Sequence, residues 1–182
     1  MIDIINRYAL ELKASNDLFL DRSYAKIDDG QIVVWLSFHT QELADINLTR
    51  RIMVDIVEGY IKRMNANAVL VQLNEGYPFD PSNFYINIDF SSFFGQFVDP
   101  LYVGRAELTG DEFNTFYANT ALNKWAELRH NFHMHSEPYW VTKQIVMIEV
   151  NAKKEKIKQH IEEIKEAAGR RRLNDRTGTG QP

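Results

Sequence analysis

The chain has 182 residues, of which 45% are hydrophobic, 12% aromatic and 25% charged, with no cysteine and a formal charge of −4 at pH 7. That composition excludes a disulfide scaffold, a zinc site built on thiolates, a catalytic cysteine, and a collagen-like or wholly disordered chain. The acidic balance argues against a general nucleic-acid binder, and no apolar run approaches the ~18 residues that a membrane helix needs.

The opening segment MIDIINRYALELK carries Asp3, Arg7, Glu11 and Lys13 where a signal peptide has an unbroken apolar core. A cytoplasmic location, or a place in a particle assembled in the cytoplasm, is therefore expected. Within residues 2–14, Ile5, Tyr8, Ala9 and Leu12 recur at helical spacing and predict a short amphipathic helix. Asp28, Asp29 and Gly30 supply turn chemistry between two β-prone runs, which predicts a hairpin with strands near 23–27 and 31–38. The second run, Ile32 to Leu36, is apolar at successive positions and reads as a central strand covered on both faces.

Residues 41–65 form the strongest helical pattern, with Met53, Ile56, Val57, Tyr60, Ile61 and Met64 on one stripe. Arg50, Arg51 and Glu58 lie mostly elsewhere around the wheel, and Asn65 and Asn67 serve as stop signals. A short strand is expected over Ala68–Leu73, then a loop over NEGYPFDPSN. FYINIDF, residues 84–90, alternates apolar and polar and predicts a half-buried strand. A strand at 101–107 is expected next. Thr109 and Glu112 have the spacing of a capping box and predict a helix over 110–131. Pro138 limits that helix and opens a strand over Tyr139–Val150, and a last helix with a thin stripe (Ile157, Ile161, Ile164, Ala168) covers 152–168. No βαβ alternation repeats. The predicted class is α+β: a single domain over 1–168 with a mixed or largely antiparallel sheet, three to four helices, and an extended basic tail over 169–182.

Candidate chemistry is sparse. RHNFHMHSEPYW concentrates His130, His133, His135 and Glu137, which suit a zinc, iron or manganese ion and define the one enzymatic alternative, a metal-dependent hydrolase. His133 and His135 would share a face if the segment is extended, and His130 and His133 if it is helical. A histidine-rich helix end that caps carbonyls explains the same residues without a metal. Asp89 and Glu149 could be strand-borne acids of a nuclease, but Asn151 stands two positions after Glu149 and Lys153 and Lys154 come too late. There is no P-loop, no dinucleotide fingerprint and no nucleophile elbow, so no cofactor and no catalytic residue is expected.

Two features point to protein partners. Of the 22 aromatic residues many fall in or beside loops, with the segment Ser91–Tyr102 (Phe93, Phe94, Phe97, Tyr102) as the densest patch. Residues 169–182 hold Arg170, Arg171, Arg172 and Arg176 against Asp175, a net of +3 that leaves −7 on the remaining 168 residues. Such a tail cannot bury enough apolar surface to fix its own shape, so any order in it is expected to come from a neighbour. The expected function is a non-enzymatic structural subunit of a larger complex, of the kind found in viral particles, contractile tails and secretion machines. Other protein subunits are its expected partners. No membrane contact is expected, and nucleic acid only through the tail.

Overall fold

The computed structural model describes residues 1–90, 102–117 and 132–177, with side chains at all of them except 116, 117, 132 and 166–177. The chain divides into two compact units, Met1–Lys143 and Gln144–Pro182. The architecture is α+β, as the patterning predicts.

In the first unit α1 (Ile2–Asn16) is followed by β1 (Phe19–Asp28) and β2 (Gln31–Thr40). Asp28 pairs with Gln31, and both loop residues between them take positive φ, Asp29 at 47° and Gly30 at 82°. That two-residue turn matches the right-handed twist of the strands it joins. α2 (Ile46–Asn65) begins five residues later than the 41–65 pattern, because the Asp45 carboxylate caps it by accepting from the Leu48 amide at 2.7 Å. The expected strand over Ala68–Leu73 is instead a helical turn, α3. Its β-prone side chains yield to a local cap, since the Asn67 side chain accepts from the amides of Val69 and Leu70.

The loop that follows is stitched to the sheet by asparagines. Asn74 Oδ1 accepts from the Ile32 amide at 2.7 Å, and Asn83 Nδ2 donates to the Ile32 carbonyl at 2.8 Å. Asn65 holds both backbone groups of Phe79. A 3₁₀ turn over Pro81–Asn83 then leads into β3 (Phe84–Phe90) and β4 (Val103–Thr109).

The predicted helix over 110–131 is corrected where it can be seen: residues 112–117 are a strand, β5 (Glu112–Tyr117), and 118–131 lie outside the described residues. Thr109 and Glu112 are opposite each other across a two-residue hairpin, with Gly110 at φ 63°. Capping-box spacing and hairpin spacing coincide here, and glycine at the first loop position decides for the hairpin. The strand expected over Tyr139–Val150 is also corrected. Phe132–Pro138 is the strand, β6, and α4 runs from Tyr139 to Thr177. Pro138 ends a strand rather than opening one, and Tyr139, Thr142 and Val146 are buried at helical spacing. The backbone of 169–177 continues α4, so the tail is helical there and not extended.

Among the described residues six strands form one sheet in the order β1-β2-β3-β4-β5-β6, antiparallel throughout except for the parallel β2–β3 pair. α2 and α3 fill the crossover that a parallel pair requires. One face of the sheet is the core: Val34, Leu36, Phe38, Phe84, Ile86, Ile88, Ala106, Leu108 and Phe113 are buried there beneath α1 and α2. α1 meets α2 at close range. The Tyr8 hydroxyl donates to the Asp55 carbonyl at 2.6 Å, its ring lies edge-on to Tyr60, and the Arg63 guanidinium stands 3.7 Å over it. β2 is central, as expected, but its other face, with Val33, Trp35, Ser37 and His39, is only half-buried.

Candidate functional site

The histidine cluster falls on β6, where its members separate. His135 pairs with Thr115 and Glu137 with Phe113, positions on the core face of β5. His133 pairs with Phe116, one position on rather than two, because Met134 is an extra residue at a β-bulge. The bulge reverses the alternation, so the extended segment does not put His133 and His135 on one face, contrary to the expectation from a regular strand. His133 is exposed, and His130 lies outside the described residues.

Glu137 is the centre of what remains. Arg50 of α2 clamps it with two hydrogen bonds, Nε to Oε1 at 2.8 Å and Nη2 to Oε2 at 2.8 Å. The Thr142 hydroxyl donates to Oε1 at 2.6 Å, and His135 Nε2 lies 2.8 Å from Oε2. An ionised carboxylate can only accept, so His135 carries its proton on Nε2. The 3.3 Å approach of Arg50 Nη2 to that nitrogen is then contact between two donors. Arg50 and Glu137 are 12% and 8% exposed. Burial opposes ionisation of Glu137, but the hydrogen bonds from Arg50, Thr142 and His135 outweigh it and hold its pKa at about 2. Beside this group Glu58 of α2 accepts from the Tyr139 hydroxyl at 3.1 Å and pairs with Lys143 at 2.8 Å. Burial, then the Glu58 charge, push the Tyr139 phenol above its ordinary range.

A carboxylate this acidic is a poor general base at neutral pH, and a guanidinium already occupies the position where a cation would bind it. Among the described residues no three His, Asp or Glu side chains are grouped to hold a metal ion. The arrangement ties α2, β6 and the first turn of α4 together. Arg50 is the residue the sequence reading missed: its helical position marks it as a surface cation, and nothing local announces a partner 87 positions away.

Among the described residues the half-buried face of the sheet carries no group of three metal-ligating side chains either. A polar row crosses all six strands through Arg22, Ser37, Asn87, Glu107, Asn114 and Ser136. Beside it Tyr24, Trp35 and Tyr85 form an aromatic row, with ring centroids 5.3 Å and 5.2 Å apart and Lys26 over the Trp35 ring. Alternation in FYINIDF places Tyr85 off the core face, but the continuously apolar run Ile32 to Leu36 reads as covered on both faces, so only Tyr85's place in that row was legible.

Of the residues singled out for partner binding, Phe93, Phe94 and Phe97 lie outside the described residues, and Tyr102 is half-buried just before β4. Arg170, Arg171, Arg172 and Arg176 sit on the backbone of α4. In the second unit the described side chains from Asn151 to Lys165 are all exposed. They include Ile157, Ile161 and Ile164, at 52%, 46% and 55%. No helix among the described residues is long and apolar enough to cross a membrane. Comparison of the chain with protein-family models, with curated proteins and with solved structures finds no match in any of the three.

Proposed function

We propose that the protein is a non-enzymatic subunit of a larger assembly that acts by binding neighbouring protein subunits. One observation carries this reading: the stripe of Ile157, Ile161 and Ile164 on α4, left in solvent among lysines and glutamates. A helix in water with no packed face is marginal, and helices gain most of their stability from burying an apolar stripe. Covering the remaining surface of three half-exposed isoleucines is worth about 3 kcal/mol in total, enough to bias association. The alternating sheet adds a rigid platform, and the aromatic segment with Phe93, Phe94 and Phe97 and the arginines at 170–172 and 176 supply further contacts in this reading. The Arg50–Glu137 group supports it by being fully engaged in holding the platform together.

The test is the size of the species recovered from native cells. The reading predicts that the chain elutes well above its own 21.2 kDa. It also predicts that Ile157→Glu/Ile161→Glu/Ile164→Glu returns it to monomer size with an unchanged melting temperature. A wild-type chain that elutes as a monomer, or a variant that still assembles, contradicts it.

A further inference from the structure

We infer that the exposed part of α4 is one strand of a heteromeric coiled coil whose partner is a helix with acidic flanks, and not a second copy of this chain. The inference rests on the assembly reading and names the chemistry of the partner.

Residues 147–165 follow a seven-residue pattern. Met147, Lys154 and Ile161 fall at one seam position and Val150, Ile157 and Ile164 at the other, spaced alternately three and four apart. Of these six, five are apolar, and all five are exposed, from 38% at Val150 to 53–55% at Met147 and Ile164. Apart from Ile148, which lies outside it at 68% exposure, this two-position seam is narrower than the stripe of a helix packed on a globular core, and it is the pattern that pairs one helix with another. The segment is about 28 Å long at 1.5 Å per residue, enough for nearly three heptads.

Charge around the seam is segregated. The positions flanking it hold Lys153, Lys158, Lys165, His160 and Asn151, with Lys154 inside it and no acid at all. All four acids of the segment, Glu149, Glu155, Glu162 and Glu163, lie on the outer face, together with Lys156. His160 approaches Glu163 at 3.6 Å on its own helix, so the lysines carry the flank. In a parallel pair of identical helices Lys153 would face Lys158, and His160 would face Lys165. In an antiparallel pair like flanks would again meet like. Two copies therefore repel in either direction, and a parallel pair would also set two Lys154 side chains face to face. A helix with apolar seam residues and glutamates on both flanks reverses every one of these terms.

The probe is a synthetic helix of about 21 residues with leucine at both seam positions and glutamate at all flanking positions, compared with a twin carrying lysine there. Each is titrated into the full chain by fluorescence anisotropy while sedimentation follows the chain alone. The glutamate probe should bind about tenfold or more tighter than its twin, and lose affinity in about 0.5 M salt. Lys153→Glu/Lys158→Glu/Lys165→Glu should reverse the preference, and Ile161→Glu should abolish binding of both probes while the melting temperature holds. Equal affinity for the two probes, or no binding of either, overturns the inference. Self-association of the wild-type chain that Ile161→Glu abolishes also overturns it, yet leaves the assembly reading standing. That reading falls separately, on monomeric protein from native cells.

Discussion

Arg50 and Glu137 are each nearly buried, and each faces the other's charge at hydrogen-bond distance. Removing one partner strands a charge in a low-dielectric site, so Arg50→Ala should destabilise the fold by about 3–5 kcal/mol in urea unfolding. Arg50→Met combined with Glu137→Leu strands no charge, leaving only the Thr142 hydroxyl and His135 without their acceptor, and should cost less than Arg50→Ala; equal costs would mean the pair is not acting as a unit. The same contact sets a pH window. Glu137 ionises at about 2 in the folded chain against 4.5 for the free group, so its contribution is complete above about 4.5 and is lost as pH falls towards 2. At most roughly 3 kcal/mol is involved. The stability difference between wild type and Glu137→Gln should shrink across that window, and a difference independent of pH would disprove the assignment. Gly59 is a third single-residue constraint. A Cβ there would sit 1.9 Å from the Tyr8 hydroxyl and 2.1 Å from Cζ of its ring. Gly59→Ala should therefore cost about 1–3 kcal/mol, most of it recovered when Tyr8 is also shortened to alanine. Strictly additive losses in that double variant would place the strain elsewhere.

Among the elements, those whose local signals agree with their surroundings were readable: α1, the first hairpin, α2 apart from its first turn, and the alternating β3. The failures share a cause. AVLVQL and YWVTKQIVMIEV are rich in β-branched residues, yet a cap at Asn67 and the buried Tyr139, Thr142 and Val146 make them helices, because β-propensity is a weak preference that caps and packing override. Thr109 and Glu112 fit two patterns at once, and only Gly110 separates them. Asn67→Ala should destabilise by about 1 kcal/mol through lost capping, measured in the same urea assay. A neutral result would show that α3 is held by Leu70 alone. The site was legible only in part. Glu137 and His135 belong to it, but a one-residue bulge and a partner on a distant helix are properties of strand pairing and tertiary contact, which no local window contains.

At the scale of the molecule, the sheet and its buried ion pair make a stable body, and the second unit offers apolar surface that nothing in the described chain covers. In the proposed reading, a body whose buried Arg50–Glu137 pair is engaged in its own fold, and whose exposed isoleucines follow a pairing pattern, serves to hold other chains. The most direct test of that claim is amide hydrogen exchange on the chain alone and in the complex isolated from native cells. The account predicts that residues 147–165 exchange quickly in the free chain and become strongly protected in the complex, with β2 and β3 unchanged in both. Equal exchange of 147–165 in the two states would contradict it.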